Sequence, residues 1–198
     1  WLAAMDPQQN LYRTDLETGL SILRRGNPTI LNLEDNYRNT KEIIQYTIES
    51  TGIDPQVNPL IQGLEIREDY YENIEDKRIK LVKALEQLKK EYIPPASICI
   101  VSLTSFDKSV LQGKLRAGKF LIQDLTDLSP EQWDPERVKF SSVFRFKGME
   151  SPVVIVTDVT DTKDDYATRC YTAMTRAKAL LWVLKHESTK PQPYGINF

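Results

Sequence analysis

The chain has 198 residues, enough to bury a substantial core, and its 26 basic residues nearly balance its 28 acidic ones. This balance excludes a general electrostatic attraction to nucleic acid, so any such binding has to be local. Two cysteines without a CxxC pair and a single histidine, His186, argue against a zinc site and histidine-based catalysis, and no apolar run reaches the ~20 residues that span a membrane.

The first 33 residues predict three short elements. Residues 1–5 are apolar and predict a strand cut in mid-course; because the chain starts with Trp1 and has no secretory signal, we expect a fragment of a longer cytoplasmic polypeptide. A polar turn follows at residues 6–12. Residues 15–25 predict a helix that Gly26-Asn27-Pro28 ends, and residues 29–33 predict a β-rich run.

Strands and helices alternate through the middle of the chain. Residues 34–40 predict a loop at the carboxyl edge of a sheet, before a helix over about 41–50 that Asn39 and Glu42 would cap. Residues 73–92 predict an amphipathic helix whose apolar stripe comprises Ile74, Leu81, Val82, Leu85, Leu88 and Tyr92. Further predicted elements are a helix over about 105–115 and strands over 97–103, 120–122, 138–143 and 153–156. This alternation predicts a parallel α/β sheet.

The last patterned stretch, residues 171–183, predicts a helix that continues through Lys178 and then a buried strand from Leu180. The join would bring Thr175 and Arg176 to a sheet edge. A planar guanidinium held there suits a phosphate group. The alternative is that Arg176 is a surface residue and the neighbouring alanines merely pack.

Four short motifs resemble, in order, motifs III to VI of the superfamily 1 helicases of the UvrD/Rep type. Residues 6–12, Asp-Pro-Gln-Gln-Asn-Leu-Tyr, resemble motif III, and residues 36–40, Asn-Tyr-Arg-Asn-Thr, resemble motif IV. Residues 147–150, Lys-Gly-Met-Glu, resemble motif V, and residues 175–178, Thr-Arg-Ala-Lys, resemble motif VI. Three departures from the family pattern are Met5 for glycine, Thr14 for a stacking tryptophan and Phe144 for histidine.

The resemblance implies an ATP site shared between two motor domains. Its catalytic residues near the γ-phosphate would be Arg176, Arg38 and Gln9. Tyr37 would stack on the adenine, and Glu150, which follows Gly148 in motif V, would contact the ribose. The sequence has no Gly-x-x-x-x-Gly-Lys-Ser/Thr loop and no Walker B Asp-Glu pair. The phosphate loop and the Mg²⁺ site would therefore lie in a missing N-terminal motor domain, and the fragment alone would not hydrolyse ATP.

The resemblance also implies a track of single-stranded DNA, with RNA as the alternative. Four residues would contact it: Tyr12, Phe144, Lys147 and Thr175. The implied fold is a RecA-like three-layer sandwich with a mainly parallel central sheet flanked by helices. Residues 1–26 would end the first motor domain, and residues 27–198 would form the second, called 2A. The interval between motifs IV and V leaves little room for the mobile 2B domain.

Two other interpretations stay open. A degenerate helicase-like module that binds nucleic acid or acts as a scaffold without ATPase activity would explain the departures at Met5, Thr14 and Phe144. The second interpretation is an α/β domain whose motif matches are accidental. The absence of a parallel sheet would establish this interpretation.

Overall fold

The computed structural model describes residues 7–9, 11, 15–25, 29, 35–126, 128–160 and 165–190. The predicted strand at 1–5, most of the predicted run at 29–33 and the candidate residue Tyr12 lie outside them. The helices are α1 (Leu16–Arg25), α2 (Lys41–Thr51), α3 (Ile74–Lys90), α4 (Val143–Phe146) and α5 (Tyr166–Met174). The strands are β1 (Asp35–Thr40), β2 (Asn58–Ile61), β3 (Arg67–Tyr71), β4 (Ile98–Ser102), β5 (Arg116–Ala117), β6 (Phe120–Asp124), β7 (Val138–Ser142), β8 (Ser151–Val159) and β9 (Ala177–His186).

Seven strands form one sheet in the order β3-β9-β8-β4-β7-β6-β5. Every neighbouring pair is parallel except the β5–β6 hairpin, which closes one edge. Strands β1 and β2 form a separate parallel pair. The predicted mainly parallel α/β sheet is therefore confirmed. Between motifs IV and V, the described residues form α2, α3, α4 and the strands β2 to β7.

Helices cover both faces of the sheet because its central strands are apolar on both sides. Along β8, Val153 and Ile155 pack into the core beneath α3, whereas Val154 and Val156 pack into the core beneath α2, α4 and α5. This alternation follows from the two-residue period of a strand. The two cores make a three-layer sandwich, as predicted.

Helix α3 forms the outer layer of one face. The Asn73 side chain accepts hydrogen bonds from the backbone N–H groups of Glu75 and Asp76, both at 3.0 Å, and so caps the helix. Most of the predicted stripe is correct, since Leu81, Leu85 and Leu88 are fully buried. Tyr92 was predicted wrongly: the helix ends at Lys90, and this side chain is 94% exposed.

Two predicted helices were wrong in extent. The helix expected over 105–115 is only a 3-10 turn, Phe106–Lys108. A right-handed helix cannot continue through Gln112 and Gly113, because both residues have a positive φ. The helix expected to continue through Lys178 ends at Met174. From Ala177 the chain instead pairs with β8 and then β3, and these two hydrogen-bonded ladders outweigh the local helix preference of the alanines.

The predicted start of α2 was also wrong in detail. The cap is Thr40, whose side chain accepts from the Ile43 N–H. Glu42 accepts instead from the Gly63 N–H at 2.7 Å. Tyr37 and Arg38 lie in β1 rather than in a loop at the carboxyl edge. The reason is that residues 35–40 pair with β2 outside the main sheet.

Candidate functional site

Charged side chains from three separate elements meet where β8 and β9 begin. The register pairs Ser151 with Ala177, which places the residues before and after them side by side. Glu150 comes directly before β8, Lys178 is the second residue of β9, and Arg38 reaches the same place from β1. Because β8 and β9 are parallel, this cluster lies at the amino edge of the sheet; we call it the amino-edge cluster.

Glu150 is the centre of this cluster. Its Oε1 accepts a hydrogen bond from Lys178 Nζ at 2.9 Å, and its Oε2 lies 3.1 Å from Arg38 Nε. The hydrogen bond from Lys178 is the main reason why the pKa of Glu150 is below its usual value; burial opposes the shift, and the charges of Lys178, Arg38 and Arg176 support it. The carboxylate is thus ionised at neutral pH and bridges two cations.

Arg176 is the fourth member of the amino-edge cluster, and its side chain is buried. Only 3% of the residue is exposed. Its guanidinium donates to Thr172 O at 3.1 Å, to Met149 O at 3.4 Å and to Thr175 Oγ1 at 3.3 Å. Because the side chain is buried, the guanidinium has to move outward before it can donate to a ligand.

Asn39 is a residue of this region that sequence reasoning assigned only to a helix cap. It is 2% exposed, and its Nδ2 donates to Thr175 O at 2.9 Å and to Ala177 O at 2.7 Å. These carbonyls flank Arg176. No local pattern could have identified this contact, because it joins parts of the chain that are 136 and 138 positions apart.

The other residues predicted to contact ATP are Tyr37, Gly148 and Gln9, and they differ in their exposure and backbone conformation. Tyr37 is 68% exposed, so its ring is accessible to a base. Gly148 has a φ of +88° and no atom within 4 Å of where a Cβ would stand. Gln9 is half-buried in a 3-10 turn, Pro7–Gln9, that packs against α5. The structure thus brings Arg38, Glu150 and Arg176 together.

A cavity of about 170 Å³ lies at the opposite, carboxyl edge of the sheet. Its lining comes from the ends of β4 and β8, the turn after β4 and the first turns of α3 and α5: Lys77, Leu103, Thr104, Lys108, Asp158, Thr160, Tyr166 and Arg169. From β4 the chain builds β5 to β7 on one side and then crosses to β8 on the other. Open α/β sheets bind ligands at such a change of direction.

A buried ion pair forms the floor of this cavity. Lys77 Nζ lies 2.5 Å from Asp158 Oδ1, and the side chains are 10% and 4% exposed. The second oxygen, Oδ2, accepts from Ser102 Oγ at 2.7 Å and from the Val110 N–H at 3.3 Å. Asp158 has a φ of +63°, which is uncommon for a residue other than glycine. These bonds hold that backbone conformation in place.

The candidate nucleic-acid residues do not all lie together. Phe144 is near the cavity, with the Arg169 guanidinium 4.7 Å from its ring centroid. Lys147 is exposed in the connection towards the amino edge. Thr175 lies at the amino edge itself, 3% exposed, and its hydroxyl donates to Tyr171 O at 2.8 Å. The structure therefore separates Thr175 from Phe144.

Three further observations concern metals, thiols and membranes. Among the described residues, no group of His, Cys, Asp and Glu is arranged to hold a metal ion. Burial raises the pKa of the Cys99 thiol to about 12, so it is unreactive at neutral pH. None of the helices in the described ranges is long and apolar enough to cross a bilayer.

Comparisons with known proteins agree with this architecture. Residues 138–184 match a family model described as the UvrD-like helicase C-terminal domain. Among solved structures, the C-terminal domain of a possible DNA helicase from Lactobacillus plantarum WCFS1 has a TM-score of 0.58 and 18% identity, covering 75% of this chain and 87% of that one. The C-terminal part of the Fun30 ATPase domain has 15% identity over 57% of this chain and 41% of that one, with a TM-score of 0.40, too low to support an argument. No curated protein matches the chain.

Proposed function

We propose that this chain, which carries a UvrD-like helicase C-terminal domain, acts as the second motor domain of an ATP-dependent helicase and forms one wall of its ATP site. The observation that supports this most is the amino-edge cluster. Arg38, Glu150 and Arg176 come from three motifs that are far apart in sequence, yet they meet at one edge of the sheet. A scaffold does not need two arginines and a glutamate at the same edge of the sheet.

The proposed ATP site lies between this edge and a first motor domain, which supplies the phosphate loop and the Mg²⁺ ligands. The described residues fit the phosphate and base ends of ATP, with Arg38 and Arg176 for the phosphates and Tyr37 for the base. Arginines that stabilise charge on a transferring phosphoryl group raise rates by ~10³ to 10⁵ in related systems. When bound, ATP would supply the γ-phosphoryl group that is transferred to water.

Two residues of the cluster have to change partners when ATP binds. Arg38 is held by Glu150, and a phosphate that competes for Arg38 releases one carboxylate oxygen, which can then accept a hydrogen bond from a ribose hydroxyl. Arg176 has to exchange its bonds to Met149 and Thr172 for bonds to phosphate. Moving Arg176 outward costs the hydrogen bonds that it makes to these two carbonyls, and the new bonds to phosphate have to offset that cost.

We place single-stranded nucleic acid at the carboxyl edge, with DNA as the track and RNA as the alternative. The balanced net charge requires a local basic site, and Lys108 lines this cavity, whereas Arg169, beside the Phe144 ring, is paired with Asp165 and would have to exchange that partner for a phosphate. Cations for the backbone and an aromatic ring for a base are the usual combination in proteins that bind single strands. Tyr12, Lys147 and Thr175 stay predicted contacts.

One observation favours a second candidate, a degenerate module that binds nucleic acid without ATP turnover. The Arg176 guanidinium is buried and satisfied by protein atoms, which is also what a structural arginine does. In that case the amino-edge cluster would only stabilise the fold.

ATP turnover distinguishes the two candidates. It should be measured for this chain and for a polypeptide that joins it to its phosphate-loop domain, each with single-stranded DNA, duplex DNA or RNA. The proposal predicts no turnover by the chain alone, and turnover by the joined domains that single-stranded DNA or RNA increases. If the joined domains show no turnover with any nucleic acid, the second candidate is correct.

A further inference from the structure

The Asn39 side chain links the two arginines of the amino-edge cluster. Both hydrogens of its amide are used, because Nδ2 donates to Thr175 O and to Ala177 O. The Asn39 Oδ1 accepts from Asn36 Nδ2 at 3.1 Å. The opposite amide orientation would bring Oδ1 against two carbonyl oxygens, so the hydrogen-bond network fixes the orientation.

One end of this link fixes the backbone of Arg176. Its carbonyl accepts from the Ser151 N–H at 3.0 Å, and its N–H donates to Ala173 O at 3.2 Å. Asn39 holds the carbonyls on either side. The turn between α5 and β9 is therefore fixed by α5, by β8 and by Asn39.

The other end of the link fixes Arg38. The backbone N–H groups of Arg38 and Asn39 both donate to Asn36 Oδ1, at 2.8 and 3.0 Å. This local turn holds Arg38 in the chain position directly before Asn39, with its side chain at Glu150. One buried amide thus links the residue next to Arg38 to the backbone on both sides of Arg176.

We propose that Asn39 is a positioning residue that sets the distance between Arg38 and Arg176, so that both reach the same triphosphate. This inference rests on the proposed function. Misplacing a catalytic group by ~1 Å can lower a rate by ~10²-fold while binding changes little. The loss of Asn39 therefore affects kcat more than the KM for ATP.

The variant that tests this is Asn39→Leu in the polypeptide with both motor domains. Leucine has nearly the same shape and removes both donors. We expect kcat to fall by about 10- to 100-fold, with less than about threefold change in KM. Asn39→Ser keeps one donor and should be intermediate. Thr47→Val is the control, because it removes a buried hydrogen bond in the neighbouring α2, from the Thr47 hydroxyl to Ile43 O, and should leave kcat unchanged.

A second readout does not depend on turnover. In this chain alone, hydrogen exchange at the Ser151 and Arg176 amides should be about tenfold faster or more in Asn39→Leu than in the unmodified protein, while the amides of β4 and β7 keep their rates. A uniform increase across the sheet would mean that Asn39 acts only on global stability, and this would overturn the inference, as would unchanged exchange at both amides.

A third arm separates this inference from the proposed function. In an Arg176→Lys background, measured by single-turnover kinetics, Asn39→Leu should lower the rate much less than it does when Arg176 is present, because Asn39 acts through that residue. An equal decrease in both backgrounds would overturn the positioning role. If Arg176→Lys itself leaves turnover unchanged, the proposed function is the part that fails.

Discussion

The Nε atom of Arg38 lies 3.1 Å from Oε2 of Glu150, and this ion pair joins β1 to the start of β8. Both side chains are nearly half exposed, so the pair contributes little to stability by itself. Its importance is geometric, because it places a cation and an anion from distant parts of the chain at the edge where Arg176 is buried. A phosphate that arrives there meets Arg38 directly and Arg176 once that side chain has moved outward.

The first prediction concerns the pKa of Glu150. Because the hydrogen bond from Lys178 contributes most to the lowered pKa, Lys178→Met should raise the pKa more than Arg38→Met does. The ion pair is complete above the usual carboxyl pKa and is lost as the pH falls through the lower, folded-state value. Lys178→Met should therefore shift that loss to higher pH. Carboxyl carbon chemical shifts against pH measure this, and a larger effect of Arg38→Met would contradict it.

The second prediction concerns the buried pair between Lys77 and Asp158. Lys77→Met leaves the Asp158 carboxylate buried without its cation and should cost about 3–5 kcal/mol of unfolding free energy. The control is Lys119→Met, because Lys119 pairs with Glu86 of the same helix in a largely exposed position worth less than about 1 kcal/mol. Urea unfolding followed by circular dichroism measures both. Similar losses of unfolding free energy in the two variants would show that the buried pair contributes no more to stability than an exposed pair does.

The third prediction concerns nucleic acid at the carboxyl edge. Lys108→Gln should weaken binding of this chain to single-stranded DNA and lower the slope of log K against log salt by about 0.7, as expected for one lost phosphate contact. Lys119→Gln removes an exposed lysine on the distant β5–β6 hairpin and should change neither quantity. Fluorescence anisotropy at several salt concentrations measures this. Equal effects of the two variants would indicate nonspecific attraction only.

The fourth prediction concerns the base of ATP. Tyr37→Leu should weaken ATP binding by the two motor domains about 10-fold, since stacking is worth about 1–3 kcal/mol per base, while affinity for tripolyphosphate stays the same. Tyr92→Leu removes another exposed tyrosine and should leave both affinities unchanged. Isothermal titration calorimetry measures them. A parallel loss of tripolyphosphate affinity in Tyr37→Leu would show that the ring does not read the base.

The parts of the fold that could be predicted were those with a strong local signal. Examples are the apolar runs of β4, β7 and β8 and the apolar stripe of α3. An element buried on one or both faces needs apolar residues at regular positions, and that spacing can be seen in the sequence. The boundary at Met174 could not be predicted, because it depends on ladders with β8 and β3, which are distant in sequence. The same holds for Asn39, whose partners lie beyond residue 174.

The candidate site was predictable only where motifs mark it. Resemblance identified Arg38, Glu150 and Arg176, and the structure brings them together. It did not identify Lys77 or Asp158, which have no motif and depend on the packing of α3 over the end of β8. The expected carboxyl edge for Tyr37 and Arg38 was wrong, since the general rule applies to strands of the main sheet and β1 lies outside it.

The most direct measurement is ATP turnover by Arg176→Ala in a polypeptide that joins this domain to the proposed phosphate-loop domain, with saturating single-stranded DNA. The control is Arg116→Ala, which removes an exposed arginine on the edge strand β5. We predict that Arg176→Ala lowers turnover by ~10³-fold or more while the protein stays folded by circular dichroism, and that Arg116→Ala keeps full turnover. Unchanged turnover in Arg176→Ala would contradict the account and leave Arg176 a structural residue.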